Sequence, residues 1–360
     1  MAFAGTDTPR HAAGDATDTR ALEIWLIVVA AMVALTAVVG AATRLTGSGL
    51  SITEWQPIMG VIPPLSDADW QDAFAKYKQI PQYIEVNRGM SLAAFKSIFW
   101  WEWAHRLIAR AIGVVFLVPF LVFLATRRIP GWLAPRLVAL FLLGGLQGGI
   151  GWLMVQSGLV GRVDVNPLKL ALHLGCAVLI FALIIWTALE LHGRRHPSRI
   201  RLATVTSGHV WLATGLVALI YLQVISGALV AGHKAGLTYN TWPLMDGRFV
   251  PDGVLRFSPW WSNIFQNIAT VQFNHRMLAY LIVGLGLWQA LRLARTADDE
   301  RVRRSSAWLA VGLLAQMGLG IWTLLAWVPL SLGVAHQAGA LAVLAVALWH
   351  LHAVRNARMQ

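Results

Sequence analysis

The sequence predicts an all-α integral membrane protein with eight transmembrane helices, arranged as two tandem-repeated four-helix bundles. Three observations lead to this fold class: the composition, eight long apolar runs, and polar motifs that recur in both halves of the chain. Of 360 residues, 57% are hydrophobic and only 13% are charged, and the mean hydropathy is +0.60. A soluble domain needs more polar surface than this, so that class is excluded.

Eight apolar runs are long enough to cross a bilayer, which takes about 20 residues of helix. Each run is bounded by charged residues, prolines or glycines. The runs lie near residues 22–42, 103–125, 137–157, 169–190, 206–232, 272–292, 307–327 and 333–353. We therefore expect eight helices that cross the membrane in alternating directions.

The positive charge of the chain marks one face of the membrane. The formal net charge is +12, but the arginines stand in the termini and the short connections, so no nucleic-acid partner is indicated. By the positive-inside rule this side faces the cytoplasm or matrix, and both termini lie there. The opposite side carries two long loops, roughly 43–102 and 233–271. The inner arginines are Arg10, Arg20, Arg127, Arg128, Arg136, Arg194, Arg195, Arg199, Arg201, Arg292, Arg295, Arg301, Arg303, Arg304, Arg355 and Arg358.

The first residues of the chain and its cysteine content argue against a targeting segment and against cysteine-based chemistry. Residues 1–20 have no apolar core and contain three aspartates, so we interpret them as a disordered cytoplasmic tail and not as a targeting segment. Cys176 is the single cysteine and lies inside the fourth run. Disulfide, zinc and thiol chemistry are therefore not indicated.

Four motifs recur in the same order in both halves, which predicts an internal duplication. The likeness extends to polar residues, which random apolar segments do not share in order. The N-terminal bundle is predicted to span residues 21–195 and the C-terminal bundle residues 203–355. The pairs are "GLSITEW" (49–55) with "GLTYNTW" (236–242), His105-Arg106 with His275-Arg276, "LQGGIGW" (146–152) with "AQMGLGIW" (315–322), and "LALHLGCAV" (170–178) with "GVAHQAGAL" (333–341).

Four of the eleven histidines occupy equivalent places in this repeat, on runs two, four, six and eight. Each stands about 20 residues from an inner arginine, which is about 30 Å of helix and a whole hydrocarbon thickness. All four imidazoles are therefore expected at the outer membrane boundary, as one pair in each half. The first pair is His105 and His173, and the second is His275 and His336.

Two imidazoles that face each other across a helix bundle suit the two axial positions of a haem iron. Arg106 and Arg276 follow the first histidine of each pair and could neutralise the haem propionates. Zinc is disfavoured because no third ligand recurs, and a proton-relay transporter would place acids near mid-membrane. A hydrogen-bonded structural histidine is the plain alternative at each single position. The other histidines are assigned to structural places, as for His209, or to solvated ones, as for His350.

Glu102 breaks the symmetry of the two halves, because neutral Gln272 stands at the corresponding position. Glu102 lies one helical turn before His105, on the same face. It could orient the imidazole through a hydrogen bond, or take a proton or position a water during a reaction. The alternatives are a solvated carboxylate or an ion-pair partner for Arg106.

The first outer loop is also predicted to hold a helix. Ser66 and Asp69 resemble a capping pair before "DWQDAFAKYKQ". The mixed aromatic and charged faces of that segment suit a membrane interface. We expect it to cover the N-terminal bundle, with an ordinary loop as the alternative.

Taken together, these residues resemble the haem A synthase family, from Gly40 to about Leu348. The family's Glu-x-x-His motif matches Glu102 to His105 within "WWEWAHR", and its "NHR" motif matches Asn274 to Arg276. The remaining family histidines match His173 and His336. The outer loops lack the cysteine pair of some members, which is similar to the branch found in mitochondria and some proteobacteria.

The resemblance implies an oxidoreductase that converts a ring methyl of haem O to a formyl group, giving haem A for haem-copper terminal oxidases. It implies haem b on His275 and His336, and substrate haem at His105 and His173 with Glu102 as a catalytic residue. It also implies a bacterial inner (plasma) membrane location, with haem O synthase and an electron acceptor as partners. Whether the chain forms a homo-oligomer is left open. The alternatives are a diheme b-type cytochrome that exchanges electrons with quinone and a transporter that binds haem.

Overall fold

The computed structural model describes residues 11–196 and 205–359, and in this part of the chain almost all regular structure is helical. The one departure is an isolated bridge between Met245 and Arg248. The helices are α1 (His11–Leu45), α2 (Asp67–Tyr77), α3 (Leu92–Ala125), α4 (Ala134–Leu159), α5 (Pro167–Arg195), α6 (Ser207–Gly232), α7 (Asn263–Gln266), α8 (Ile268–Thr296), α9 (Glu300–Leu325) and α10 (Leu330–Met359).

Within the described residues, eight helices are long and apolar enough to cross a membrane, which confirms the predicted number. They are α1, α3, α4, α5, α6, α8, α9 and α10, and the protein is a multi-pass membrane protein. The largest difference from prediction is α3, which begins at Leu92 and not near residue 103. Its N-terminal end is fixed by Ser91, whose side chain accepts a hydrogen bond from the Ala94 backbone nitrogen.

The predicted N-terminal tail is covered only in part. Residues 1–10 lie outside the described residues, and their predicted disorder stays a prediction. Helix α1 already begins at His11. The predicted boundary between the two halves, near 195–203, coincides with residues 197–204, which also lie outside the described residues.

The spans pack in two groups. In the N-terminal half, α1 contacts α3 and α5, and α4 contacts α5; in the C-terminal half, α6 contacts α8 and α10, and α9 contacts α8 and α10. The halves meet through α1, α5, α6 and α10. A single apolar core cluster runs through both halves and includes Leu26, Ile184, Leu216 and Leu344. The internal duplication itself remains a prediction from the sequence.

The end of the molecule that carries the long connections 46–91 and 233–267 is called the outer end here. In the first connection, Ser66 and Asp69 form the predicted capping box at the start of α2. Hydrogen bonds from the Ser66 backbone and hydroxyl hold the pKa of the Asp69 carboxyl below its ordinary value. Helix α2 then packs its aromatic face on the outer part of α3, as Phe74 stacks on Phe95 with ring centroids 4.9 Å apart. The predicted helix is therefore present in this connection, and its location at a membrane interface stays a prediction.

Candidate functional site

The structure brings the four histidines together in the predicted pairs. His105 on α3 interacts electrostatically with His173 on α5, and His275 on α8 interacts with His336 on α10. All four lie on the parts of their helices that approach the outer end. The two helices that carry a pair both contact the other two spans of their half, α1 and α4 in the first half and α6 and α9 in the second.

Each of the four imidazoles rests against a glycine on a neighbouring helix. At three of these glycines an added Cβ would lie 2.8–2.9 Å from the histidine Cε1 atom, closer than real contacts allow, and at Gly227 it would lie 3.2 Å away, which is tighter than most real contacts. Three of the four rings therefore require glycine for their present position, and His275 would have to shift slightly. The pairs are Gly40 with His105, Gly151 with His173, Gly227 with His275, and Gly320 with His336.

The residue one turn before each glycine meets the same imidazole through a hydrogen bond. Gln147 Nε2 lies 3.1 Å from His173 Nδ1, and Gln223 and Gln316 Nε2 each lie 3.2 Å from Nδ1 of His275 and His336. Each of these amides also donates to the backbone carbonyl of its own histidine.

His105 is held differently, because its Nδ1 lies 3.1 Å from the backbone carbonyl oxygen of Thr36. A carbonyl oxygen only accepts, so Nδ1 of His105 carries the proton and Nε2 keeps its lone pair. That is the tautomer in which Nε2 can ligate a metal.

These supporting residues were only half found by the sequence analysis. The repeat pointed to Gln147 and Gln316 with their glycines, but Gln223 and the pair Thr36 and Gly40 were missed. The signal that finds them is a five-residue spacing that recurs on four helices, with glutamine or threonine first and glycine last. It reads "TAVVG" (36–40), "QGGIG" (147–151), "QVISG" (223–227) and "QMGLG" (316–320).

The residues around the histidine pairs fit an iron porphyrin. Two imidazoles per half would suit the two axial positions of a haem, and the glycines give each imidazole room beside the neighbouring helix. In the described part of the chain, no group of three or more His, Cys, Asp or Glu side chains is placed to hold a metal ion, so a protein-only zinc site is not formed. Near the second pair, several buried polar atoms have no protein partner, namely Gln223 Oε1, Gln272 Oε1, Gln316 Oε1 and Arg276 Nε.

Glu102 is 2% exposed and its two oxygens are fully engaged by protein donors. Oε2 accepts from the Ser51 hydroxyl at 2.7 Å and from the Ile52 backbone nitrogen at 2.8 Å. Oε1 accepts from Arg106, at 2.6 Å from Nη2 and 3.1 Å from Nε. The hydrogen bond to His105 considered from the sequence is not formed, because Thr36 takes that position. The alternative in which Glu102 pairs with Arg106 is the arrangement seen.

Arg106 and Arg276 hold the outer segments, which we define as residues 49–60 and 236–245. Arg106 donates to the carbonyl oxygens of Ile52 at 2.8 Å and Glu54 at 3.1 Å. Arg276 donates to the carbonyl oxygens of Tyr239 and Thr241, both at 2.8 Å. Most of the guanidinium donors are therefore directed at backbone, and propionate binding by these arginines stays a prediction.

Glu102 and its counterpart Gln272 form different hydrogen bonds with the outer segments. Gln272 donates through Nε2 to the Tyr239 carbonyl oxygen at 3.0 Å, whereas Glu102 accepts from the Ile52 nitrogen. Ile52 and Tyr239 correspond in the predicted repeat. The N-terminal half thus holds a buried carboxylate–guanidinium pair, whereas in the C-terminal half the Arg276 guanidinium stands beside a neutral amide.

One histidine assignment from the sequence is wrong. His350 was expected to be solvated, yet it is 1% exposed and its Nδ1 lies 3.1 Å from the Ser305 hydroxyl. The apolar helix end around it gave no sign that a neighbouring serine would be buried. His209 is structural as expected, since its Nδ1 accepts from the Thr206 backbone nitrogen at the start of α6.

Comparison with known proteins places these features in a family. The COX15-CtaA family model, described as cytochrome oxidase assembly protein, matches residues 23–348. A protein of Parvibaculum lavamentivorans named Heme A synthase is 51% identical over 346 residues, covering 96% of this chain and 98% of its own length. A Heme A synthase of Bradyrhizobium sp. strain BTAi1 is 50% identical and covers 92% of this chain and 91% of its own length. One of Nitrosospira multiformis is 47% identical, covering 93% and 94%.

Proposed function

Because this chain belongs to the COX15-CtaA family, the haem A synthases, we propose that it oxidises a ring methyl of haem O to a formyl group and so makes haem A for haem-copper terminal oxidases. The observation that carries the proposal is the pair of partly buried imidazoles in each half, each ring contacting a glycine and a hydrogen-bonding group of a neighbouring helix. Two such pairs allow one half to hold substrate and the other a resident haem.

The two halves take different roles in this proposal. His275 and His336 would hold haem b, which when bound supplies a redox-active iron for one-electron transfer. His105 and His173 would hold the substrate haem, because the buried carboxylate of Glu102 stands in that half alone.

Three residues of the N-terminal half have distinct tasks. The Thr36 carbonyl fixes the His105 tautomer, leaving Nε2 toward the substrate iron. Glu102 and Arg106 hold the outer segment 49–60 over the site, which limits access of water. Glu102 is also the carboxylate proposed to accept a proton when the methyl is oxidised, which requires one of its four donors, such as the Ser51 hydroxyl, to move away first.

Isolated membranes that contain the protein should convert supplied haem O to haem A, as measured by extraction and chromatography of the haems. Membranes with the double variant His105→Ala and His173→Ala should not. A wild-type protein that is reduced and reoxidised while haem O stays unchanged would contradict the proposal and favour a diheme b-type cytochrome.

We also propose a bacterial inner membrane location with both termini in the cytoplasm. Eight spans put the termini on one side, and the arginines in the connections around Arg128 and Arg304 give that side its positive charge. Reporter fusions after Arg128 and after Arg304 should both show the cytoplasmic signal. A periplasmic signal at either position would contradict this topology.

The proposed partners follow from the reaction. A haem O synthase would deliver the substrate, and an electron acceptor would take the electrons released when a methyl group and a water molecule give a formyl group and protons. The lipid bilayer surrounds the spans, many of whose apolar side chains are exposed, such as Val114 and Leu142.

A further inference from the structure

The two halves differ in how their second and third spans meet. In the C-terminal half, α8 packs closely against α9, whereas the corresponding helices of the N-terminal half, α3 and α4, barely touch. In the C-terminal half, Leu313 of α9 is 4% exposed and fills the junction, with its side chain directly against Gly286 of α8. Between α3 and α4 the side-chain contact lies further in, where Phe116 of α3, at the place of Gly286, stacks on Phe141 of α4 with ring centroids 6.2 Å apart.

The sequence explains the gap. When the two halves are aligned at Gln147 and Gln316, Gly144 corresponds to Leu313 and Gly148 to Met317. When they are aligned at His105 and His275, Gly113 corresponds to Val283. A Cβ added at Gly113, Gly144 or Gly148 would meet no atom within 4 Å. Outward of the contact between Phe116 and Phe141, these glycines thus leave open a groove where the other half has bulky side chains.

The groove begins at the histidine pair and leads toward mid-membrane. Gly148 follows Gln147, which contacts His173, and Gly144 lies one turn, about 5.4 Å, further from the outer end. At the outer end the groove is covered, because Arg110 holds the carbonyl oxygens of Gln56 and Pro57 and Trp55 packs on Trp152 of α4. The groove therefore opens sideways to lipid and not outward to water.

We propose that this groove between α3 and α4 binds the hydrocarbon tail of the substrate haem, and that the C-terminal half cannot accept such a tail. The inference rests on the proposed function, since haem O carries a farnesyl-derived chain and haem b does not. A macrocycle between His105 and His173 with its propionates at the wet outer end has its opposite edge directed inward, along the groove. An apolar chain there loses contact with water and meets glycine backbone and lipid.

Restoring the leucine of the other half tests this directly. In Gly144→Leu, purified with its resident haem, the affinity for added haem O should fall by about tenfold or more relative to wild type. The corresponding loss of binding free energy is about that of two methylene groups that are no longer buried. Added haem b lacks the tail, so its affinity should stay within about twofold of wild type. A twofold change corresponds to RT ln 2, which is well below the free energy of burying one methylene group. Both are measured by difference absorption titration.

Gly145→Leu is the matched control. Gly145 is exposed, and its counterpart Leu314 is 47% exposed on the lipid side, so this variant should bind both haems as wild type does. Equal loss for both haems, no loss for haem O, or the same loss in Gly145→Leu would each overturn the groove. A wild-type protein that binds haem O and yields no haem A would refute the proposed function instead, and the binding comparison would still decide on the groove.

Discussion

Alanine at His275 or His336 is expected to abolish the low-spin b-type absorption spectrum of the purified protein. Each substitution removes one of two axial nitrogens, and Gly227 and Gly320 offer no replacement ligand. Reduced-minus-oxidised spectra and haem content per protein measure the effect. His105→Ala should keep most of this spectrum, because its ring belongs to the other half.

The matched control for this experiment is His352→Ala. His352 lies on the same helix as His336, near the inner end, where it contacts Asn356. Its removal should leave the spectrum unchanged. A spectrum that is lost in His105→Ala and survives in His336→Ala would show that the two halves have the opposite roles.

Glu102→Gln should reduce haem A formation by about 10²–10⁴-fold, the range for removal of a general base, while haem b is retained. The amide also places a donor opposite Ser51 and Ile52, which themselves donate to the carboxylate, and leaves Arg106 without its anion. Haem extracted from cells that supply haem O gives the yield. Near-normal haem A would show that the carboxylate has no chemical role.

Ser51→Ala separates chemistry from anchoring. It removes one of the four hydrogen bonds of Glu102 and keeps the carboxylate and its pairing with Arg106. If Glu102 acts on protons, Ser51→Ala should retain most of the activity that Glu102→Gln loses. If the two variants lose activity equally, the task of Glu102 is to hold the outer segment 49–60.

Much of the fold followed from the sequence by itself. Hydropathy and length located eight spans, because a helix that crosses a bilayer must be apolar over about 20 residues whatever its neighbours are. The Ser66–Asp69 cap was predictable because its hydrogen bonds are local in the chain. The four histidines were found because an ionisable group in an apolar run is costly and therefore carries information.

Other features depended on the tertiary structure. Lipid is as apolar as a helix interface, so hydropathy does not show which face of a span meets another helix. For this reason the sequence did not show that Thr36 and Gln223 support imidazoles, or that His350 is buried beside Ser305. The sequence also did not show which groups Arg106 would bind. Every residue has a backbone carbonyl, so the residue type of Ile52 does not indicate that its carbonyl accepts from Arg106.

The sequence by itself determined that this protein spans a membrane eight times and carries two histidine pairs, one of them with a glutamate. Only the packed structure decided that Glu102 is tied to Arg106 and the outer segment, and that α3 and α4 stand apart where α8 and α9 meet. The physical reason is that these outcomes depend on atoms brought together from distant parts of the chain. A glycine such as Gly144 opens a groove only if no neighbour fills the space, and the neighbours are set by tertiary packing.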